Sequence, residues 1–317
     1  MIKILITDKL AKEAIDLINS TEAAQAVVKT GPPEDELAAM IGQYDGLIVR
    51  SATKVTAKIL ANHGKLRAIA RAGAGVDNID VVEADKKGIV VMNTPGGNTS
   101  SVAELVLAMM LAMARSIVTA CNSLKTGLWE KKKFMGSQLN KKVLGIIGLG
   151  RIGMTVAKMA GGFNMKIIGY DPFITPPDAK KLGVEITDKV ERIYKEADYI
   201  TVHVPKTEKT LNMIGAEQIA MMKPTVRLIN TSRGGIINED ALYDALAAGR
   251  IAGAGVDVFT QEPPLNTRFK ELENVIVTPH IGANTTEAQI ECGLEAARVI
   301  IDYLEGKGAR NVVKPKK

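Results

Sequence analysis

The chain has 317 residues, 46% of them hydrophobic and 24% charged, a size and balance that exceed one core and suit two soluble globular domains. A net charge of +6 sits largely in Lys131–Lys133 and in the tail residues Lys314, Lys316 and Lys317; without interleaved aromatics this excludes nucleic acid as the expected partner and leaves a surface suited to an anionic small molecule. Two cysteines, Cys121 and Cys292, form no spacing motif, which excludes a disulfide framework and a cysteine-based metal site and fits a reducing cytoplasm.

In chain order, "MIKILITD" opens as a strand, Ile2–Thr7, without the apolar core and small-residue cleavage site of a leader peptide. Further strands are expected near Ala26–Lys29, Gly46–Arg50, Arg67–Ala70 and Ile89–Asn93. Helical stretches separate them, such as Leu10–Ile18 and one after "GPPEDEL", where Pro33 suits a first helical turn. The stretch "GGNTSSVAELVLAMMLAMARSI" predicts a long helix from about Ser100. Its apolar run, Leu105–Ala114, is flanked by Glu104 and Arg115; at ten residues it is too short to span a bilayer and suits a buried or interface helix. A looser Lys- and Gly-rich segment with the only Trp, Trp129, comes next. A second alternating block follows, with strands near Val143–Ile147, Lys166–Tyr170, Tyr199–Val204, Val226–Asn230, Gly253–Val258 and Val275–Thr278. The last helical stretch, Thr285–Leu304, has no place in that second sheet and is a candidate to return to the first block. Alternation of this kind predicts βαβ units and parallel sheets.

The most informative stretch is "KVLGIIGLGRIGMTVAKMAGGFNMKIIGYDP". A strand feeds Gly148-Leu149-Gly150-Arg151-Ile152-Gly153, a helix follows, and a second strand ends in Asp171, 18 residues after Gly153. Each part has its own physical role. Gly148 makes the tight turn, Gly150 admits a pyrophosphate to the backbone, Gly153 lets helix and strand pack, and the helix N-terminus offers free N–H groups. Asp171 accepts hydrogen bonds from ribose hydroxyls and repels a 2′-phosphate; Pro172 and Phe173 follow it instead of a cation, so NAD is expected over NADP.

In an open parallel sheet the ligand lies beyond the carboxyl ends of the strands. Three polar groups follow late strands here. His280, in "TPHIGA", suits a general base because imidazole titrates near neutrality. Glu262, in "TQEPPL", lies 18 residues earlier and can orient that ring. Arg233, in "NTSRGG", can grip a carboxylate through its guanidinium fork. Each alone is as readily a turn or surface residue; their recurrence after successive strands of a nucleotide-binding sheet is what favours chemistry. His203, in "TVHVP", suits a cofactor-lining or structural role, and His63 a loop at a helix end.

At these residues a family becomes recognisable. "LIVRSATKVT", "RAGAGVDNID", "VMNTPGGNTSSVAEL", "GLWEKKKFMGSQL", "GIIGLGRIG", "LINTSRGGIINEDAL", "AGAGVDVFTQEPP" and "TPHIGANTTEAQ" occur in order over nearly the whole chain. The sequence resembles the D-isomer-specific 2-hydroxyacid dehydrogenases, and among them the short-type phosphoglycerate dehydrogenase branch. The resemblance implies two doubly wound parallel-sheet domains. A flavodoxin-like substrate domain would be discontinuous, residues 1–97 and 289–317, around a Rossmann NAD-binding domain, residues 98–288. It implies that Arg233, Glu262 and His280 form the catalytic set. For NAD it points to Arg151 and Ile152 at the pyrophosphate, Asp171 at the ribose, Val204 and Pro205 beside the cofactor, and Thr231, Ser232 and Asp257 near the nicotinamide, with the small Gly282 and Ala283 letting the chain pass close. The substrate loop would be Ala74, Gly75 and Val76, whose N–H groups suit a carboxylate. Arg50, Ser51, Lys54 and Asn98 would lie on the substrate's phosphate side.

The expected activity is NAD-dependent oxidation of 3-phospho-D-glycerate to 3-phosphooxypyruvate, at the start of serine synthesis. The alternatives are a glyoxylate or hydroxypyruvate reductase of the same family, or an NAD-sensing binding protein of the same fold. Ser232 departs from the Ala of many relatives, a small change. The end of the chain soon after the last helical stretch leads to the expectation that no C-terminal regulatory domain, and no serine feedback through one, is present. A homodimer is expected through the helix from Ser100 and the loop around Trp129, in a cytoplasmic enzyme with neither metal, membrane nor nucleic-acid partner.

Overall fold

The computed structural model describes residues 1–174, 176–181, 183–264 and 268–315; Lys316 and Lys317 of the basic tail lie outside the described residues. The chain falls into two compact units, residues 1–99 with 283–317, and residues 100–282.

The first unit holds β1 (Ile2–Ile6), β2 (Ala24–Val28), β3 (Gly46–Val49), β4 (Ala68–Arg71) and β5 (Val90–Asn93) in the order β2-β1-β3-β4-β5. Every pairing is parallel. Both faces are buried, as a sheet flanked by crossover helices requires, and this explains the near-continuous apolar strands. Ile4, Ile6, Ile48 and Ala70 pack on one side with Ala14, Ile18, Ala296 and Ile300. Leu5, Leu47, Val49 and Ile69 pack on the other with Leu37, Ile59 and Leu60. The helix Thr286–Leu304 therefore completes this unit. Thr285 caps it, its side chain accepting the Ala288 N–H, and Gly293 brings it against Ala14.

The second unit holds β6 (Val143–Ile147), β7 (Lys166–Tyr170), β8 (Val184–Ile186), β9 (Tyr199–Val202), β10 (Arg227–Asn230), β11 (Gly253–Val256) and β12 (Val275–Val277). Their order is β12-β11-β10-β9-β6-β7-β8, again all parallel. The strand order reverses between β6 and β9 in this sheet and between β1 and β3 in the first. Such switch points open a crevice beyond the carboxyl ends of the strands.

The long apolar helix starts at Thr99 and ends at Ala114, where the apolar run also ends. Ser116 takes a left-handed conformation, φ 51°, and a second helix, Ile117–Lys125, follows at a bend of 62°. Val102, Val106, Met109 and Met110 of the first helix are buried, and Val106, Met109 and Met110 pack with the core of the second sheet. The helix after the bend has no buried residue within this chain. Among the described residues no single helix is long and apolar enough to cross a membrane.

Candidate active site

The glycine turn follows β6. Gly148 has φ +94°, open only to glycine, and a Cβ there would fall 2.5 Å from the His203 carbonyl oxygen. At Gly153 a Cβ would lie 2.1 Å from the Gly148 carbonyl, so helix and turn touch through hydrogen alone. Gly150 faces open space, and it precedes the helix Arg151–Gly161 without any side-chain cap. That leaves uncapped N–H groups and the positive end of the helix dipole beside an open approach. Asp171, at the end of β7, accepts the Leu149 N–H at 2.7 Å and the Phe173 N–H at 2.8 Å, which pins its carboxylate at the glycine turn with lone pairs remaining. These residues fit a dinucleotide: open backbone for a pyrophosphate, and a fixed carboxylate for ribose hydroxyls that is hostile to a 2′-phosphate.

Beyond β9, His203 fills a structural place. Its Nε2 lies 3.0 Å from Thr201 Oγ1, its Nδ1 is enclosed without a partner among the described residues, and burial pushes its pKa down to about 4. Val204 accepts the Ser232 hydroxyl at 2.7 Å through its carbonyl, tying the turn after β9 to the turn after β10. Pro205 is exposed beside it.

The turn after β10 carries Thr231, Ser232 and Arg233. Asn230, buried at the strand end, braces it from both sides: its Oδ1 accepts the Ser232 N–H at 3.0 Å and its Nδ2 donates to the Arg233 carbonyl at 2.9 Å. Arg233 is half-buried, with Nη1 donating to the Ser232 carbonyl at 2.7 Å. The Thr231 side chain is buried, its hydroxyl unpartnered among the described residues.

The turns after β11 and β12 hold the most constrained geometry of the unit. His280 Nδ1 lies 2.6 Å from Glu262 Oε2, and Glu262 Oε1 accepts the Phe259 N–H at 3.0 Å, so the carboxylate is anchored before it meets the ring. His280 itself sits at φ +52°, a left-handed conformation that costs a non-glycine residue about 1–2 kcal/mol. Asp257, wholly buried, offsets that cost. Its Oδ1 accepts the Thr278 hydroxyl at 2.6 Å and the Ile281 N–H at 2.8 Å, its Oδ2 accepts the Gly282 N–H at 2.9 Å, and its carbonyl accepts the His280 N–H at 2.9 Å. Hydrogen bonds to a charged group contribute about 1.5–3 kcal/mol each, so the clamp outweighs the strain. His280 stays 47% exposed on its side chain, which leaves Nε2 open to chemistry while Nδ1 is held.

In the first unit, Arg50, Ser51 and Lys54 follow β3, with Arg50 half-buried and the other two exposed. The loop Ala74–Val76 follows β4 and is half-buried; Asn93 Nδ2 donates to the Ala74 carbonyl at 2.6 Å. Asn98 is buried with its Oδ1 unpartnered among the described residues. Ala283, which belongs to this unit, accepts Gln289 Nε2 at 3.0 Å through its carbonyl. Sequence reasoning missed the braces Asn230 and Asn93; the one available signal was a short polar side chain at a strand end. Among the described residues no group of three His, Cys, Asp or Glu is placed to hold a metal ion.

Two parallel sheets with a glycine turn at the switch point of the second, and a carboxylate–imidazole pair beyond its late strands, define a nucleotide-dependent oxidoreductase architecture. The family model of the D-isomer specific 2-hydroxyacid dehydrogenase, NAD binding domain, matches residues 107–282, and the chain belongs to that family. It is similar to a D-3-phosphoglycerate dehydrogenase of Synechocystis sp., 48% identical over 99% of this chain and 56% of that protein. One of Methanocaldococcus jannaschii is 49% identical over 99% of this chain and 59% of that protein. The chain thus spans under two thirds of the length of these curated relatives. Among solved structures, a D-lactate dehydrogenase of Aquifex aeolicus, complexed with NAD and lactic acid, is 30% identical with a TM-score of 0.84, covering 99% of this chain and 100% of that one.

Proposed function

We propose that this chain oxidises 3-phospho-D-glycerate to 3-phosphooxypyruvate with NAD. The carrying observation is the His280–Glu262 pair at 2.6 Å, held on a clamped left-handed turn beside a sheet that fits a dinucleotide. The curated relatives' names support the phosphorylated substrate, as do the cations Arg50 and Lys54 at one switch point of the first sheet.

When bound, NAD supplies the hydride acceptor. His280 Nε2 takes the hydroxyl proton as the C–H pair leaves as hydride and the C–O bond becomes a carbonyl. Because Nδ1 is held against Glu262, the tautomer that accepts at Nε2 is selected, and the imidazolium formed faces a carboxylate. Arg233 grips the substrate carboxylate and polarises the reacting oxygen through its guanidinium fork. In the reverse direction the same imidazolium returns the proton.

The same reading includes a homodimer in the cytoplasm. Ile117, Leu124, Leu128, Trp129 and Met135 are exposed, Trp129 by 81% and Met135 by 90%. A cavity of about 280 Å³ lies in the same unit at the amino ends of β10–β12, lined by Met113, Val118, Phe134, Arg227 and Val275. Large apolar side chains exposed on one segment support self-association.

Steady-state reduction of 3-phosphooxypyruvate and of hydroxypyruvate with NADH tests the substrate, because the two differ only in the phosphate. The expected result is a kcat/KM at least about tenfold higher for the phosphorylated compound; equal or reversed values overturn the substrate assignment. Sedimentation equilibrium of Trp129→Asp against the parent tests the dimer, and an unchanged association constant overturns the assigned face.

A further inference from the structure

A buried carboxylate that none of the chemistry above uses lies at the switch point of the first sheet. Asp8 follows β1, and the segment Arg50–Lys54 follows β3, the two strands between which the order reverses. Asp8 is 6% exposed. Its Oδ2 accepts the Arg50 N–H at 2.5 Å; its Oδ1 accepts the Thr53 N–H at 3.1 Å and the Thr53 hydroxyl at 2.7 Å. From the opposite side Asn78 Nδ2 donates to the Arg50 carbonyl at 2.8 Å and to the Thr53 carbonyl at 2.7 Å. The Arg50 guanidinium is steered in turn, with Nη1 donating to the Lys9 carbonyl at 2.9 Å. Both backbone groups of Arg50 and both of Thr53 are thus fixed by two side chains remote in the chain, while Ser51 and Lys54 stay clear of these bonds.

A buried charge is retained against its desolvation cost only where hydrogen bonds repay it, and here all of those bonds go to this one loop. We propose that Asp8, seconded by Asn78, is the positioning residue of an anion loop. It holds the Arg50–Lys54 backbone so that the Arg50 and Lys54 side chains and the Ser51 hydroxyl converge on the substrate's phosphate. Asp8 itself touches no substrate; as a carboxylate within hydrogen-bond reach of the loop N–H groups, it also keeps those groups from being the anion's ligands and reserves that role for the side chains. This positioning role rests on the phosphorylated-substrate reading above and accounts for how that specificity is built.

The test uses the whole chain and the same pair of ketoacids. In Asp8→Asn one oxygen becomes an amide that meets the Arg50 N–H donor to donor, so the loop loosens. The expected result is a KM for 3-phosphooxypyruvate raised about tenfold, with kcat and the hydroxypyruvate kcat/KM each held within about twofold. Asn78→Ala moves the same ratio in the same direction. Should Asp8→Asn fail to fold, Thr53→Val removes only the hydroxyl bond and is expected to raise that KM about threefold. Amide hydrogen exchange at residues 50–54 reads the loop directly and is expected to quicken in each variant. Equal loss with both ketoacids, a fall in kcat alone, or quickened exchange with an unmoved KM overturns the positioning role. The parent's own ratio tests the substrate reading separately. If the parent shows no preference for the phosphate, inorganic phosphate is titrated as an inhibitor, and a Ki that is the same in parent and Asp8→Asn overturns the positioning role.

Discussion

The two units each use a buried aspartate just past a strand to fix a functional turn, but they fix different things. In the second unit Asp257 takes the Ile281 and Gly282 N–H groups and the Thr278 hydroxyl, and forces one residue, His280, into a left-handed conformation. In the first unit Asp8 takes the Arg50 and Thr53 N–H groups and leaves the loop without a positive-φ residue. On the proposed reading, one clamp holds a single atom, Nε2, where proton transfer has a narrow geometric tolerance. On the same reading the other holds a set of cations around a diffuse charge, where tolerance is wider. The comparison therefore predicts that a buried carboxylate acts on rate where it sets a reacting atom and on affinity where it sets a binding loop.

The comparison breaks if the two units fail to separate kinetically. The largest effect is expected for His280→Ala and Arg233→Ala, each lowering kcat by about a thousandfold, with the NAD Kd from fluorescence titration within about threefold of the parent. Unchanged turnover in both removes the second unit's claim to the chemistry. Asp257→Asn is expected to lower kcat about a hundredfold, because the amide cannot accept the same three donors and the His280 turn relaxes; a KM effect alone would make the two clamps equivalent. Glu262→Gln keeps a partner for Nδ1 but removes the charge facing the imidazolium, and is expected to lower kcat about tenfold in single-turnover assays. Asp171→Ala is expected to weaken NAD by a similar factor of about ten and to narrow the gap between NAD and NADP, read by titration of both. An unmoved cofactor preference refutes the ribose assignment.

His203 gives the smallest effect on turnover and sharpens the comparison from the structural side. Its pKa is depressed by burial from the ordinary 6.5 to about 4. The unfolded chain therefore binds the proton first as pH falls, so stability is full above about pH 6.5, declines as pH drops toward 4, and levels below that. Between pH 7 and 5 the loss from this one group is about 2 kcal/mol, measurable as a urea midpoint. His203→Gln is expected to flatten that window and to leave kcat within about twofold.

Most strands and the chemistry at their ends are legible in the amino-acid order, because apolar runs, the glycine turn and Asp171 are local patterns. The exceptions have physical reasons. Strand β8, Val184–Ile186, is three residues with Glu185 at its centre, too short to show a period. The bend at Ser116 has neither Gly nor Pro to mark it, so the second helix, Ile117–Lys125, is not read from the sequence as an element of its own. Asp8 and Asn78 are illegible as braces since their partners lie 42 to 45 and 25 to 28 residues away; only the strand order β1-β3 brings Asp8 to its loop. The resemblance puts Asp257 near the nicotinamide; the part illegible in the sequence is that its enclosed carboxylate binds the turn that carries His280. The Glu262–His280 spacing of 18 residues makes a pair possible, and the bond at 2.6 Å is a product of two adjacent strands, β11 and β12, ending side by side.

The clamped left-handed histidine has a consequence for inheritance and engineering. His280, Glu262, Asp257 and Arg233 all belong to residues 100–282, and the bonds that shape the histidine turn are made inside that unit. On the proposed reading the proton-handling apparatus is therefore contained in one cassette. A chimera that exchanges the 50–54 loop together with its Asp8 and Asn78 braces is then expected to trade one acid for another while the acid–base engine stays unchanged.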